Sequence, residues 1–183
     1  DTEHQPHELP WHLGCEVTEK VDGSLGILFH FDGRWHFATR GSFTSKQAEE
    51  AYDIYSERYG HVGVNPAITY LFEIVYPENR IVVDYGEDRD LVLLAMIDTN
   101  TGAEFSLDDA PIDFRVVRRA GVADSIEAIR SVITDDQEGY VVRFSNGFRV
   151  KVKGDRYTEL HRIMSGVSSR SIWETLSQGK SFD

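Results

Sequence analysis

Two dipeptides constrain this chain more than any other feature: Asp32-Gly33 and Asn146-Gly147, each set between runs of strand-forming residues. Such pairs suit the centre of a tight β-hairpin turn, where the backbone must take positive φ. The first joins residues 24–31 to 34–40, and the second joins 138–144 to 148–153. Further strands are expected at 14–20, 69–76 and 91–98. Helical spacing runs over 45–59, through Ala48, Tyr52, Ile54, Tyr55 and Tyr59. It recurs over 124–133, where Ile126, Ile129 and Ile133 share a face. Residues 155–164 and 171–178 also read as helix, the second with Ser171 and Glu174 spaced as a capping box. The pattern predicts an α+β fold: an antiparallel-sheet domain over 1–154 with inserted helices, then a helical segment over 155–183 that opens a C-terminal domain.

The second hairpin has a geometry that can be worked out. With Asn146-Gly147 as a two-residue loop, Val142 faces Lys151 and Tyr140 faces Lys153. Opposed residues share a side of the sheet, and sides alternate along each strand. One face then holds Glu138, Tyr140, Val142, Lys151 and Lys153, with Phe148, Val150 and Val152 behind. Two lysines at alternate positions suit a phosphate, because both ammonium groups reach one point. Exposed lysines are common, so the hairpin alone does not establish a site.

The first hairpin, with Asp32-Gly33 as its loop, returns Arg40 opposite Leu25. That places it near the turn Lys20-Val21-Asp22-Gly23-Ser24. Gly23 would let the backbone approach a ligand. A lysine among other cations loses proton affinity and becomes a usable nucleophile; Lys20, near Arg40, Lys151 and Lys153, would be one. Glu73 lies inside the apolar strand 69–76, where an unpartnered carboxylate is costly. It therefore meets a cation or faces a polar ligand.

Composition narrows the function. The 183 residues carry a net charge of -12 and are 40% hydrophobic, enough for a packed core. The acidic balance removes a long-range positive field for nucleic acid but leaves room for a local basic groove. Cys15 is the only cysteine, so neither an internal disulfide nor a cysteine-cluster zinc site is available. The seven histidines show no HExxH spacing. No apolar run approaches the length of a bilayer span, and no secretory leader opens the chain. A cytoplasmic setting, away from membranes, is the expectation. The chain starts at Asp1 rather than Met, as an excised piece of a longer protein would.

Taken in order, these segments resemble the covalent nucleotidyltransferase superfamily of ligases and capping enzymes, and within it the T-even phage RNA ligase 1 family. The segments are Lys20-Val21-Asp22-Gly23-Ser24-Leu25, Thr39-Arg40-Gly41-Ser42, Leu71-Phe72-Glu73 with Tyr76-Pro77-Glu78-Asn79-Arg80-Ile81-Val82, then Glu138-Gly139-Tyr140-Val141-Val142 and Lys151-Val152-Lys153. Tyr157 and His161 follow as in that branch. No single motif is specific, but five in order are.

The resemblance implies an ATP-dependent RNA ligase whose nucleotidyltransferase domain spans 1–154. Lys20 would carry AMP, pass it to an RNA 5′-phosphate, and a 3′-hydroxyl would then close the joint. It implies nucleotide contacts from Glu19, Lys20, Arg40, Glu73, Lys151, Lys153 and Tyr157, and a divalent ion (Mg²⁺ or Mn²⁺) positioned by Glu138. Lys20, Glu138, Lys151 and Lys153 form the expected catalytic set. Family members carry further phosphate contacts upstream of the nucleophile and a helical domain downstream. Two alternatives stay open: a ligase of the same superfamily acting on DNA or nicked duplex, and a non-catalytic scaffold that binds RNA ends.

Overall fold

The computed structural model describes residues 9–166. In chain order the elements are β1 (Cys15–Lys20), β2 (Ser24–Phe31), β3 (Arg34–Thr39), α1 (Lys46–Ile54), β4 (Ile68–Val75), β5 (Asp90–Asp98), β6 (Glu104–Phe105), β7 (Arg115–Val116), β8 (Arg119–Gly121), α2 (Ile126–Arg130), β9 (Gly139–Phe144), β10 (Arg149–Lys153) and α3 (Asp155–Gly166). The expected helix over 171–178 lies outside the described residues. Among the described residues, no helix is long and apolar enough to cross a membrane.

The strands form two sheets. One has the order β10-β9-β1-β8; the other runs β3-β2-β4-β5-β6, with β7 added parallel to β5. The long pairings within both sheets are antiparallel. The larger sheet buries Leu28, Phe37, Tyr70, Phe72, Ile74 and Leu93 against Ala48, Ala51 and Ile54 of α1. Ser45 starts that helix by accepting from the Ala48 N–H. One π-helical turn, Tyr55–Tyr59, extends it. The smaller sheet buries Val17, Tyr140, Val142, Phe144, Val150 and Val152 against Ile126 and Ile129 of α2. Val21, Val75, Val92 and Val117 form a third cluster. It lies at the crossover, because β1 ends in the smaller sheet at Lys20 and β2 enters the larger one at Ser24.

The first hairpin has the expected two-residue loop. Phe31 pairs with Arg34, and Asp32 and Gly33 take φ of 47° and 73°. The second hairpin departs from expectation by one residue. Gly147 N–H donates to Phe144 O and Phe144 N–H to Phe148 O, each at 2.8 Å, so the loop holds Ser145, Asn146 and Gly147. Gly147 takes φ +84°, the left-handed position such a three-residue loop needs. Val142 therefore faces Val150, and Tyr140 faces Val152. A one-residue slip exchanges the two faces of a strand. In the two-residue register Val142 would share its face with the lysines instead of with Val150 and Val152. Core packing selects the three-residue loop, and Tyr140 and Val142 lie on the face opposite Lys151 and Lys153.

Candidate active site

Register brings Lys20 and Lys153 to either side of one residue. Lys20 pairs with Gly139 across β1–β9, and Lys153 pairs with Gly139 across β9–β10. Gly139 takes φ +143°, and a Cβ there would overlap the Val152 carbonyl oxygen. That backbone is open only to glycine. Glu138, one residue earlier, leaves strand alternation there and turns its carboxylate between the two lysines. Lys20 Nζ donates to Glu138 Oε2 at 2.7 Å, and Lys153 Nζ lies 3.1 Å from Oε1. Glu138 is 3% exposed and the Lys20 side chain 18%. Two cations compensate a buried carboxylate that would be costly alone.

Lys20 was expected among cations. Its immediate partner is instead an acid, and Lys153 reaches it only through that acid. Glu73 arrives from the other sheet, opposite Leu25 on β4. Burial raises its carboxyl to about 7; Lys20 and the Gly23 N–H oppose this, while Glu138 and Asp22 reinforce it. Glu73, Lys20 and Glu138 thus share one electrostatic neighbourhood at the crossover between sheets.

Asp22 holds that crossover, a role the sequence did not reveal. It is 3% exposed. Its Oδ2 accepts from the Val82 and Val83 N–H groups, each at 2.8 Å, and its Oδ1 accepts from the Tyr157 hydroxyl at 2.7 Å. Its own N–H donates to the Tyr85 hydroxyl at 2.9 Å. Burial and the neighbouring charges push the Tyr85 phenol up to about 12. One carboxylate therefore ties the Lys20 turn to the 76–88 loop and to α3. The only signal in the sequence was an acid flanked by Val21 and Gly23. Asn79 adds a second tie, accepting from Ser24 Oγ and donating to Ile74 O, each at 2.9 Å. Gly23 presses on β4, where a Cβ would meet Ile74 O at 2.5 Å. Its small size serves this packing between strands.

The remaining expected residues separate. Tyr157 is buried: its hydroxyl is committed to Asp22, and its ring lies 5.1 Å beneath Lys153 Nζ. Burial, the Asp22 hydrogen bond and the nearby Glu138 push its phenol well above the usual range. It supports Lys153 from below instead of presenting a free hydroxyl. Glu19 projects from the face of β1 opposite Lys20 and pairs with Arg118 at 3.2 Å. Alternation along the strand keeps it out of the cluster. Lys151 shares the face of Lys153 one row away and is exposed. Arg40 stands one residue past β3 and is also exposed. Neither Lys151 nor Arg40 makes a hydrogen bond or ion pair among the described residues.

The lysine face of the smaller sheet is turned toward the larger sheet. At one end Lys20 and Glu138 act through their charges on Glu73. At the other, Arg143 and Arg149, in the row of Glu16, reach Glu104 on β6. Between these closures lies the row Thr18, Val141 and Lys151. That row carries half-buried Thr18 and Val141 and exposed Lys151. A divalent ion fits the donor set of Glu73 and Glu138. No group of three acidic, histidine or cysteine side chains forms among the described residues. Mg²⁺ commonly takes one or two carboxylates and completes its shell with phosphate oxygens and water.

No protein-family model matches the chain. It is 28% identical over 167 residues to an Autographa californica nuclear polyhedrosis virus protein named as a bifunctional polynucleotide kinase/RNA ligase; the match covers 80% of this chain and 24% of that protein. It is 19% identical over 223 residues to an RNA ligase of Rhodothermus phage RM378, covering 92% of this chain and 50% of the relative. The chain thus spans half or less of these relatives. Its fold is similar to Naegleria gruberi RNA ligase, both in a variant with ATP and Mn and in a form with PPi. The TM-score is 0.63 in each case, with 15% and 16% identity, covering 82% of this chain and 52% of that one. This chain has the nucleotidyltransferase fold of RNA ligases and is similar in sequence to viral RNA ligases.

Proposed function

We propose that this chain is the adenylyl-transfer domain of an ATP-dependent RNA ligase, with Lys20 as the nucleophile. The observation that carries the reading is the Lys20–Glu138–Lys153 cluster, with Glu73 in its electrostatic neighbourhood, at the crossover between two sheets.

Lys20 Nζ forms a P–N bond to the α-phosphorus of ATP, and the bond from that phosphorus to the pyrophosphate oxygen breaks. The attacking amine must first be neutral; Glu138 Oε2, at 2.7 Å, is placed to take the proton. Lys153, freed as Glu138 is neutralised, turns its charge to the phosphate, and Lys151 adds a second ammonium from the same face. Phosphoryl-type transfer asks mainly for positioning and charge. Glu73 would hold the divalent ion and Glu138 would position it through water; the ion, when bound, neutralises phosphate oxygens. An RNA 5′-phosphate oxygen then attacks the AMP phosphorus, the P–N bond breaks and Lys20 regains its proton. Finally a 3′-hydroxyl attacks the activated 5′-phosphorus and AMP departs. The substrates on this reading are ATP and RNA carrying 5′-phosphate and 3′-hydroxyl ends. Arg40, exposed one residue past β3, would meet the 5′-phosphate.

Incubating the chain with ATP labelled at the α-phosphate and Mg²⁺ or Mn²⁺ tests the proposal. A covalent, acid-labile adduct is expected, absent from Lys20→Ala. Lys20→Arg is expected to be equally inactive, because a guanidinium stays protonated and is no nucleophile. An adduct that persists in a folded Lys20→Ala protein overturns the assignment.

A further inference from the structure

The face of the larger sheet that carries Glu73 continues, away from Lys20, into an aromatic surface that the ATP chemistry does not use. Leu25 and Ile27 on β2 pair with Glu73 and Leu71 on β4. Alternation along β2 then puts Phe29 and Phe31 on the same face, opposite His36 and Arg34 of β3. Phe29 and His36 stack at 5.5 Å between ring centroids, and Phe43 meets Phe29 edge-on at 6.2 Å. Phe31 is 68% exposed and Phe43 75% exposed. His30 and Trp35 point the other way, and Trp35 packs on the core residue Tyr70. At about 3.3 Å per residue, Phe29 and Phe31 stand roughly 13 and 20 Å along the strand from the Glu73 row.

Charge identifies the occupant. In a chain of net charge -12, most described arginines sit against carboxylates. Arg34, Arg40 and Lys46, all on this hairpin or just after it, make no ion pair among the described residues. The acids nearest them in sequence are Asp32 at the turn and Glu49 and Glu50, one helical turn past Lys46, of which Glu50 is taken by Arg89. Exposed rings among unneutralised cations, leading to a phosphate-handling site, suit a single strand whose bases stack while its phosphates meet arginine.

We propose that the outer face of the β2–β3 hairpin, formed by Phe29, Phe31, Arg34, His36 and Phe43, is a platform for single-stranded RNA leading to the Lys20 site. This rests on the ligase reading and adds a strand-binding surface to it. Because the rings stack on any base, the platform is sequence-tolerant and excludes duplex, whose bases are already stacked.

The test measures binding of the whole chain to a fluorescent 5′-phosphorylated single-stranded RNA of about 12 nucleotides, within the range such platforms cover. The double variant Phe31→Ala/Phe43→Ala touches only exposed rings. It is expected to lose about tenfold in affinity or more, consistent with losing one or two stacked bases. Self-adenylylation without RNA is expected to be unchanged, which separates this surface from the Lys20 chemistry. Arg34→Ala is expected to lower the slope of log affinity against log salt by about 0.7, one single-strand phosphate contact. Adenylylation with undiminished RNA binding by the double variant overturns the platform while leaving the ligase reading intact. So does equal affinity for blunt duplex. A fall in parent self-association on removing the two phenylalanines, with RNA binding untouched, would show that a second copy covers the face and also overturns it. If the parent binds RNA through Phe31 and Phe43 but forms no adduct, the platform stands and the ligase reading fails.

Discussion

The two hairpins start from the same kind of signal and end differently. Asp32-Gly33 makes a two-residue loop, and each strand residue lies where counting puts it. Asn146-Gly147 makes a three-residue loop, and the register moves by one. The difference is in what each hairpin packs against. Near its tip the first hairpin has an open face with Phe31 exposed, so local turn chemistry decides its register. The second is pinned between β1 and α2, so Val142, Val150 and Val152 decide its register and the turn adapts. A turn signal sets register only where the core has no stronger preference.

The sharpest way to break this contrast is at the base of the second hairpin. Gly139 separates the partners Lys20 and Lys153, and it is the residue that lets Glu138 turn in between them. In Gly139→Ala a methyl group would have to occupy the space of the Val152 carbonyl, with Lys153 Cα 2.9 Å away. Nothing there is a flexible side-chain tip that can yield. A loss of about 4 kcal/mol or more in unfolding free energy is expected, of the size reserved for such overlaps. Urea denaturation checks it, and a loss under about 1 kcal/mol would mean that Glu138 does not need this backbone.

The next effect is smaller and depends on pH. Glu73 sits, half-buried, on the sheet of the first hairpin, and Lys20 only partly offsets the effect of its burial. Its carboxyl is raised from 4.5 to about 7. Between those values the folded chain keeps a proton that the unfolded chain has released, so stability falls as pH rises through the window. The full cost, on the order of 3 kcal/mol, is in place above about pH 7. Glu73→Gln does not titrate. It is expected to exceed the parent in stability by that order at about pH 8 and to match it near pH 4. Thermal melts at the two pH values decide, and a stability difference independent of pH would contradict a carboxylate whose desolvation Lys20 offsets only in part.

How far the sequence could be read follows from the same contrast. The strands from β1 to β5 and the helices α1 and α3 lie where apolar spacing and turn residues put them, while the helix expected over 124–133 is shortened to Ile126–Arg130. Lys20, Glu73, Glu138 and Lys153 are legible in the sequence, though counting from a two-residue loop puts Tyr140 and Val142 on the lysine face and the observed register does not. The cluster still formed because Gly139 releases Glu138 from alternation, which counting along a strand cannot anticipate. Asp22 stayed hidden because its partners, Val82, Val83 and Tyr157, are distant in sequence and two of them are backbone amides. Tyr157 and Glu19 were placed by resemblance, and local geometry gives both other partners. The short strands β6, β7 and β8 carry two or three residues each, too few for a period to register.

The smallest expected effect is the most informative about the turn. Gly147 takes φ +84°, and no atom lies within 4 Å of where a Cβ would stand. Gly147→Ala therefore costs only the backbone preference for negative φ, about 1 kcal/mol. A two-residue loop offers the chain an escape, but it would turn Val150 and Val152 out of the core. Each buried valine is worth about 1.5 kcal/mol or more, so slipping costs more than enduring the strained turn. The variant is expected to lose about 1 kcal/mol and keep Val142 opposite Val150, as cross-strand NMR contacts would report. If Val142 moved opposite Lys151 instead, turn chemistry would outrank core packing here, and the account of why the two hairpins differ would fail.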